Sequence, residues 1–468
     1  MKHIASIFML LAALACVPVV AAQTVADAMQ LAEDGETAAA IDMLNEIAER
    51  EPKNADVRME LGRLYMATGR DAKAADAFEA ARAKGNREAI LSLAELANLR
   101  YEVDDARSLL EEYRASLKRG RKTVHPDNSG NLEERIDRTE NMLGRVEQIE
   151  IIDSLVVDAD DFFRHYRLSA ESGSLNEPSD VLPETFPAAR PTVVYEPESR
   201  REMLWAMPDT AGVFRLVSSS ALYGNSWERP VPVGNSLGEG GDANYPFLMP
   251  DGITLYFAND GENSLGGLDI FISRKGDDGF LQPQNLGMPY NSPYDDYMLA
   301  IDELTGVGWW ATDRNRIPGK VTIYVFVPSE LRRNIDPDAP ELASRARIDA
   351  IRDTWLPTTD RNALIERIVA LKSDASQRPV QFRLSVPGRG VYTNYEDFRT
   401  PAARQAMHSY MDHLERFNRA KASLADMRAD YAKGNRSSAE LIEQAEAQLD
   451  AARAELTAMR NDVITLER

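Results

Sequence analysis

Thiols are all but missing from this chain. Its one cysteine, Cys16, lies within the first 22 residues. If that stretch is removed, nothing remains to form a disulfide, a thiolate metal site or a cysteine nucleophile. Histidine is scarce too, at five copies, and His125 and His165 stand isolated, so no histidine metal site is visible. Basic charge is outweighed: 54 Lys and Arg face 75 Asp and Glu, a formal net charge of −21. Such a surface repels nucleic acid and anionic lipid, which argues against a DNA or RNA reader.

Long apolar runs are absent except at the start. "MKHIASIFMLLAALACVPVVAA" has Lys2 and His3, an apolar run from Ile4, and small residues ending at Ala22. This pattern predicts a secretory signal over residues 1–22, cleaved before Gln23, since the run is too short to span a bilayer. Ala15-Cys16 is half of a lipobox, but Ala13 stands where leucine is usual, and an ordinary cleavage site follows Pro18. The protein is therefore expected to be exported, periplasmic or outer-membrane-associated, with lipidation at Cys16 the lesser alternative.

What is present is repetition. "AEDGETAAAIDMLNEIAEREPKN" realigns on "YMATGRDAKAADAFEAARAKGN" with a shift of 34 residues. Gly35 falls on Gly69, Ala40 on Ala74, Leu44 on Phe78, and Ile47 on Ala81. A third copy follows 32 residues later, with Ala106, Leu110 and Tyr113 at the matching places. Small residues let two helices approach, larger ones wedge between hairpins, and the glycine permits the turn. "LGRLYMATGRDAKAADAFEAA" (61–81) resembles a tetratricopeptide repeat, and residues 23–150 are expected to be such repeats with a capping helix from Asn131. The resemblance implies a concave peptide groove lined by Met59, Arg63 and Met66. The Lys/Asn set of a carboxylate clamp is lacking, and a packing platform without a pocket is the competing reading.

From residue 151 to 332 the period becomes alternating and Gly, Pro and aromatics rise. A second repeat of 52 to 53 residues emerges. Trp227 falls on Phe280, Pro230 on Pro283, Val233 on Leu286, Gly234 on Gly287, and Tyr245 on Tyr297. "LYFANDG" aligns with "GWWATDR", placing Phe257 on Trp310 and Asp260 on Asp313, and Ile270 falls on Ile323. A partial copy begins at Leu204. Each unit offers short strands that cannot bury both faces alone, and radial stacking into a propeller solves this. "YFANDGENSLGGLDIFISR" with "NLGMPYNSPYDDYMLAID" resembles the WD40-like, TolB-type propeller repeats of Bacteroidetes envelope proteins, which often lie between tetratricopeptide repeats and an OmpA-like domain. No OmpA-like segment follows here. About three blades can be counted, so strands at 149–159 and 379–395 are expected to complete the ring.

The acid-bearing corner Asp260 to Asp269 includes Glu262. It reads as turn chemistry, with a bound calcium the competing reading; six converging oxygens would be needed. "GNSLG" (234–238) fits the G-x-S-x-G of serine hydrolases, but "EGGDANYP" cannot supply the helix that such an elbow requires. The neighbours Asp295 and Asp296 point to opposite faces of a strand and cannot act on one bond. No enzyme, cofactor or metal is expected. Trp205, Tyr245, Trp309 and Trp310 are candidates for stacking on a ligand, against a plain role in blade cores. Asp153-Ser154-Leu155 and Asp209-Thr210-Ala211 resemble an O-glycosylation signal of Bacteroidetes secreted proteins.

Residues 333–378 read as helices. In 400–468, Phe417, Ala420, Leu424, Met427 and Tyr431, then Ile442, Ala445, Leu449, Ala452, Leu456, Met459, Val463 and Leu466, alternate at three- and four-residue spacing, a coiled-coil seam. An antiparallel helical hairpin is expected; a parallel dimer through 438–468 is the alternative. The fold class is thus multidomain α + β: helical repeats, β-propeller and helical hairpin. The resemblance implies a non-enzymatic envelope scaffold whose partners are envelope proteins, OmpA-like or type IX secretion components. Peripheral membrane association and oligomerisation through the coiled coil would fit it. The alternative is a propeller that captures glycans or peptides.

Overall fold

The computed structural model describes residues 24–467 except 119–125, 184, 187–190, 223–226, 235–236, 239, 278, 330, 376–381, 383, 387–389, 393 and 433–438. The expected leader with Cys16, and also His125 and Ser236 of "GNSLG", lie outside the described residues. The chain divides into two compact units at Asp137/Arg138.

The first unit consists of helical hairpins: α1 (Val25–Glu33) with α2 (Thr37–Arg50), α3 (Ala55–Ala67) with α4 (Asp71–Ala83), and α5 (Glu88–Leu99) with α6 (Val103–Leu117). Then α7 (Leu132–Leu143) begins, laying Leu132 and Ile136 on the α5/α6 core. Thr24 opens α1 with a reciprocal cap: its hydroxyl accepts the Asp27 N–H and its own N–H donates to the Asp27 carboxylate, satisfying donors a helix start leaves open. The alanines and larger side chains superposed by the sequence repeat are all buried: Ala40, Ala74 and Ala106; Leu44, Phe78 and Leu110; Ile47, Ala81 and Tyr113. Gly35 and Gly69 take left-handed φ of 87° and 72° at the turns inside the hairpins; the third hairpin uses Tyr101 there at φ 63°, a conformation costing a side-chain residue about 1 kcal/mol.

The second unit starts with β1 (Glu150–Asp158), β2 (Ser174–Asn176), a single turn α8 (Pro178–Val181) and β3 (Val194–Glu196). It continues through β4 (Glu202–Pro208), β5 (Phe214–Ser220), β6 (Val231–Pro232), β7 (Ala243–Leu248), β8 (Thr254–Asn259) and β9 (Asp269–Gly276). Next come β10 (Gly279–Phe280), β11 (Gln284–Asn285), β12 (Asp296–Asp302), β13 (Val307–Thr312) and β14 (Lys320–Val327). These strands form three antiparallel sheets, ordered β2-β3-β4-β5-β6, β7-β8-β9-β10 with β11 on β9, and β12-β13-β14-β1. The sheets share one apolar core, with β7 packed against β4 and β5 on one side and β12 on the other. At its centre stands Phe162, from the β1–β2 connector. Its ring lies 5.2 Å from Tyr297, 5.9 Å from Tyr245 and 6.2 Å from Tyr166, all edge-on. The unit is therefore a strand-rich half-barrel. Among the described residues no strand pairing closes it into a ring of blades.

One expected flanking strand joins these sheets and the other does not. β1 (within 149–159) pairs along its whole length with β14, apart from a bulge near Ile152. Its outer side is covered by the segment before α10 (Arg361–Ala375): Thr354 and the Trp355 indole N–H bond to Ile151, and the Glu150 carboxylate accepts from Leu356 N–H, Thr359 and Arg361. An edge strand is thereby hidden from pairing with another chain. The segment 379–395 instead supplies β15 (Leu384–Val386) and β16 (Gly390–Tyr392), which pair with each other. They pack with α11 (Pro401–Ala432) and α12 (Ala439–Glu467) around Phe382, Phe398, Met407 and Val463. The alternation at 379–395 marks strands correctly, but their apolar side chains are satisfied by these helices rather than by the sheets. Between β14 and α10, α9 (Leu342–Arg347) ends in Ile348, which packs under β1 and β14. Helices α11 and α12 are antiparallel: His413 lies opposite Glu455, Arg428 opposite Glu446, and Thr400 opposite Glu467. Among the described residues no helix is long and apolar enough to cross a membrane.

Within α3, a Cβ added at Gly62 would lie 2.3 Å from the buried Phe78 ring of α4. Gly62→Val is therefore expected to destabilise the first unit by about 2 kcal/mol through overpacking, read by thermal unfolding followed by helical circular dichroism. Adding Phe78→Leu should recover part of the loss; a double variant no better than the single one contradicts this contact.

Candidate functional site

Two places gather polar chemistry, and each lies within one unit. On the first helices of the hairpins, Glu95 of α5 is half-buried. Burial pushes its carboxyl above the usual range, and the positive charges of Arg135 on α7 and Arg63 on α3 pull it back. Three alternate helices, α3, α5 and α7, thus carry a row of alternating sign. Arg63 is also paired with Glu60 at 2.7 Å. Of the expected groove residues, only Arg63 is exposed. Met59 is buried in the helical core, and Met66 is half-buried against it. Met59 is thus a core residue and not a groove residue: its place on α3 faces the neighbouring hairpins.

The second place is the acid-rich corner of the sheets. The Asp260 carboxylate, past the end of β8, accepts the N–H of Asp242 at 2.6 Å. One repeat later the Asp313 carboxylate, past β13, accepts the N–H of Asp295 at 2.8 Å. In the same rhythm Asp242 accepts the N–H of Phe214 at 2.9 Å, and Asp295 that of Leu268 at 2.8 Å. The second and third sheets thus each lend a carboxylate to the backbone of the sheet before it. Gly267 lies so close to this junction that a Cβ there would meet Asp295 Oδ1 at 2.0 Å. The bulges keep the rhythm too: Tyr245 (φ 55°) and Met298 (φ 53°) both take left-handed backbone. That sets Tyr245 level with Met298, one place from the sequence alignment on Tyr297: both copies carry the bulge, and the tyrosine-to-tyrosine match is out of step with the flanking pairs. The Tyr245 and Tyr297 rings nevertheless stack, 4.6 Å apart.

Asp269 is fully buried at the start of β9. Its Oδ2 accepts the N–H of Leu265 and the Asn285 amide, while its Oδ1 has no partner. Burial pushes its carboxyl up to about 8. Asp296, also fully buried, holds Arg314 at 2.7 Å and the Ser292 N–H and hydroxyl. Asp295 and Asp296 therefore serve different partners. Asp260 and Asp269 are likewise committed to separate backbone segments, and among the described residues no group of three or more His, Cys, Asp or Glu is placed to hold a metal ion. A shallow polar cleft of about 230 Å³ lies beside the corner, lined by Asn259, Glu262, Asn263 and Gln282 over Phe257 and Phe271. Around "GNSLG", residues 237–238 and 240–242 form turns and β7 begins at Ala243, so no helix follows there.

The four proposed stacking residues are corrected by their burial. Trp205, Trp309 and Trp310 are at most 1% exposed and Tyr245 is 5% exposed. Trp205 stacks on Phe186, Trp309 lies against Tyr166, and Trp310 against Tyr290 and Phe326. They are sheet-core residues with no face open to a ligand. Sequence reasoning missed Glu95, on the largely buried α5, and Arg135 on α7. It also missed Phe162, which sits in a segment without period. Of the two glycosylation-like tripeptides, Ser154 lies in β1 opposite Tyr324, and Asp209 caps a turn by accepting the N–H groups of Ala211 and Val213.

A family model described as tetratricopeptide repeat matches residues 31–85, the span of α2 to α4 with the turn before α2. No curated protein and no solved structure matches the chain. The first unit therefore carries tetratricopeptide repeats, a module that commonly mediates protein–protein interaction.

Burial raises Asp269 to about 8 and Asp313 to about 6. Both folded-state values exceed the unfolded value of about 4. These groups thus favour the fold fully below that value, and the contribution is lost as pH rises through 6 and 8. Asp269→Asn keeps an acceptor for Leu265 and removes the titration. Its melting temperature should match the parent near pH 3.5 and exceed it at pH 8.5 by about 3 °C or more. Equal melting at both pH values argues against a buried ionising Asp269.

Proposed function

We propose that this protein is a non-enzymatic scaffold of the cell envelope, exported by its N-terminal leader, that docks protein partners through its helical repeats. The observation that carries the reading is the tetratricopeptide match at 31–85, together with the charge row Arg63, Glu95 and Arg135 on the alternate helices α3, α5 and α7. A row of alternating sign on a rigid face selects a partner by charge register more than by area. In this reading the three sheets are a propeller-type platform, with acids that shape corners instead of performing reactions. Envelope proteins are the expected partners, among them OmpA-like or secretion components. Glycan capture, the rival reading, loses its support with the burial of Trp205, Tyr245, Trp309 and Trp310.

Crosslinking in intact cells followed by capture of the full chain should recover envelope proteins at fixed ratio. Arg63→Glu should lower that recovery about fivefold or more, with the helical circular dichroism spectrum unchanged. The N-terminus of the mature protein should be Gln23. No fixed-ratio partner, or recovery indifferent to Arg63→Glu, overturns the proposal; an unprocessed N-terminus overturns the location.

A further inference from the structure

The hairpin of α11 and α12 leaves one face unfilled. A groove of about 240 Å³ runs between the helices, floored by Phe417, Ala420, Ala445, Leu449, Ala452 and Leu456. Its rims differ in charge: His413 and Arg416 stand on α11, Glu455 on α12. The helices differ likewise as wholes. α11 carries five Arg and Lys against four Asp and Glu, whereas α12 carries two Arg against seven acids. Two helices packed along one seam cover only part of each apolar stripe, and a four-helix arrangement completes the burial.

We propose that a second copy of this chain fills the groove, the two hairpins joining into a four-helix bundle about a two-fold axis parallel to the helices. Charge selects this arrangement. An axis across the helices would lay the acidic α12 on its own copy. An axis along them lays each α11 against the α12 of the other chain and puts the two α12 helices on the diagonal. Every neighbouring pair is then antiparallel, as within the hairpin, and helix dipoles oppose favourably. The register is inherited as well. His413 is level with Glu455 inside one hairpin, so Arg416 comes within a turn of Glu455 of the second copy. Among the described residues of its own chain Arg416 has no ionic partner, and Glu455 holds only His413, at 3.9 Å. Two such cross-pairs form by symmetry, since a two-fold interface uses the same patch twice.

Sedimentation of the full chain tests this. The wild type should be a dimer at about 10 μM, weakening with salt as exposed ion pairs do. Arg416→Glu should raise the dimer dissociation constant about tenfold or more, because like charges then face each other twice. Glu455→Arg should do the same, and the double exchange R416E/E455R should restore dimerisation. Arg416 is exposed on its helix, so circular dichroism should be unchanged. A wild type that is monomeric at 100 μM, leaving the groove to another occupant, overturns the proposal. So does a dimer indifferent to R416E, or a double exchange that fails to recover.

Discussion

Two of the three sheets meet on one phenyl ring. Phe162 has no strand or long helix to hold it, yet Tyr166, Tyr245 and Tyr297 surround it edge-on, and the tyrosines belong to different parts of the unit. Aromatic edges carry positive partial charge and faces negative, so a ring boxed by edges has a preferred orientation as well as a filled volume. Tyr166 adds a hydrogen bond from its hydroxyl to the Met298 carbonyl at 2.7 Å. A few residues on, the Ser169 N–H donates to the buried Asp302 carboxylate. The β1–β2 connector thus locks β12, an edge strand of the last sheet.

With the middle filled, the sheets need fastening only at their corners, and the repeated aspartates do this. A carboxylate bonded to a backbone N–H is shorter and stronger than a neutral pair. It is also tolerant of sequence elsewhere in the loop, which explains why the next corner can put Arg314, Asn315 and Arg316 where Gly261, Glu262 and Asn263 stand and keep Asp313. Charge density at these corners is structural. The acidic excess of the chain and the buried acids are separate matters: the first governs solubility and repulsion, the second the pH range over which the sheets are stable.

The helical repeats were legible because their spacing constrains burial directly. Ala74, Phe78 and Ala81 face inward for the same reason they recur. The sheet repeat was legible at Asp260/Asp313 and Phe257/Trp310, and slipped by one at Tyr245, where two tyrosines lie one place out of step with the flanking pairs. The antiparallel hairpin followed from the seam through Leu424, Leu449, Leu456 and Val463, all buried. What could not be read were long-range choices without period: Phe162 as the central ring, Thr354 to Arg361 as the cover of β1, and β15–β16 lying on helices. Strand propensity at 384–392 says that a strand forms and nothing about its neighbour. The charge row on α3, α5 and α7 escaped for a related reason. Arg63, Glu95 and Arg135 look like ordinary surface residues until the helices are stacked.

The pairing of β1 with β14 has a consequence for the order of events during synthesis. Glu150 lies opposite Val327 and Asp158 opposite Lys320, so the first strand of the sheets finds its partner only after the whole intervening stretch has emerged. Non-local pairing of this kind slows folding and leaves early strands waiting with open edges. The chain before β1, complete as helical hairpins with mostly local contacts, has no such delay. A nascent chain of this protein therefore carries a finished helical unit ahead of a bare strand, and that strand, with Ile151, Ile152 and Val157, is the part a holding chaperone would grip.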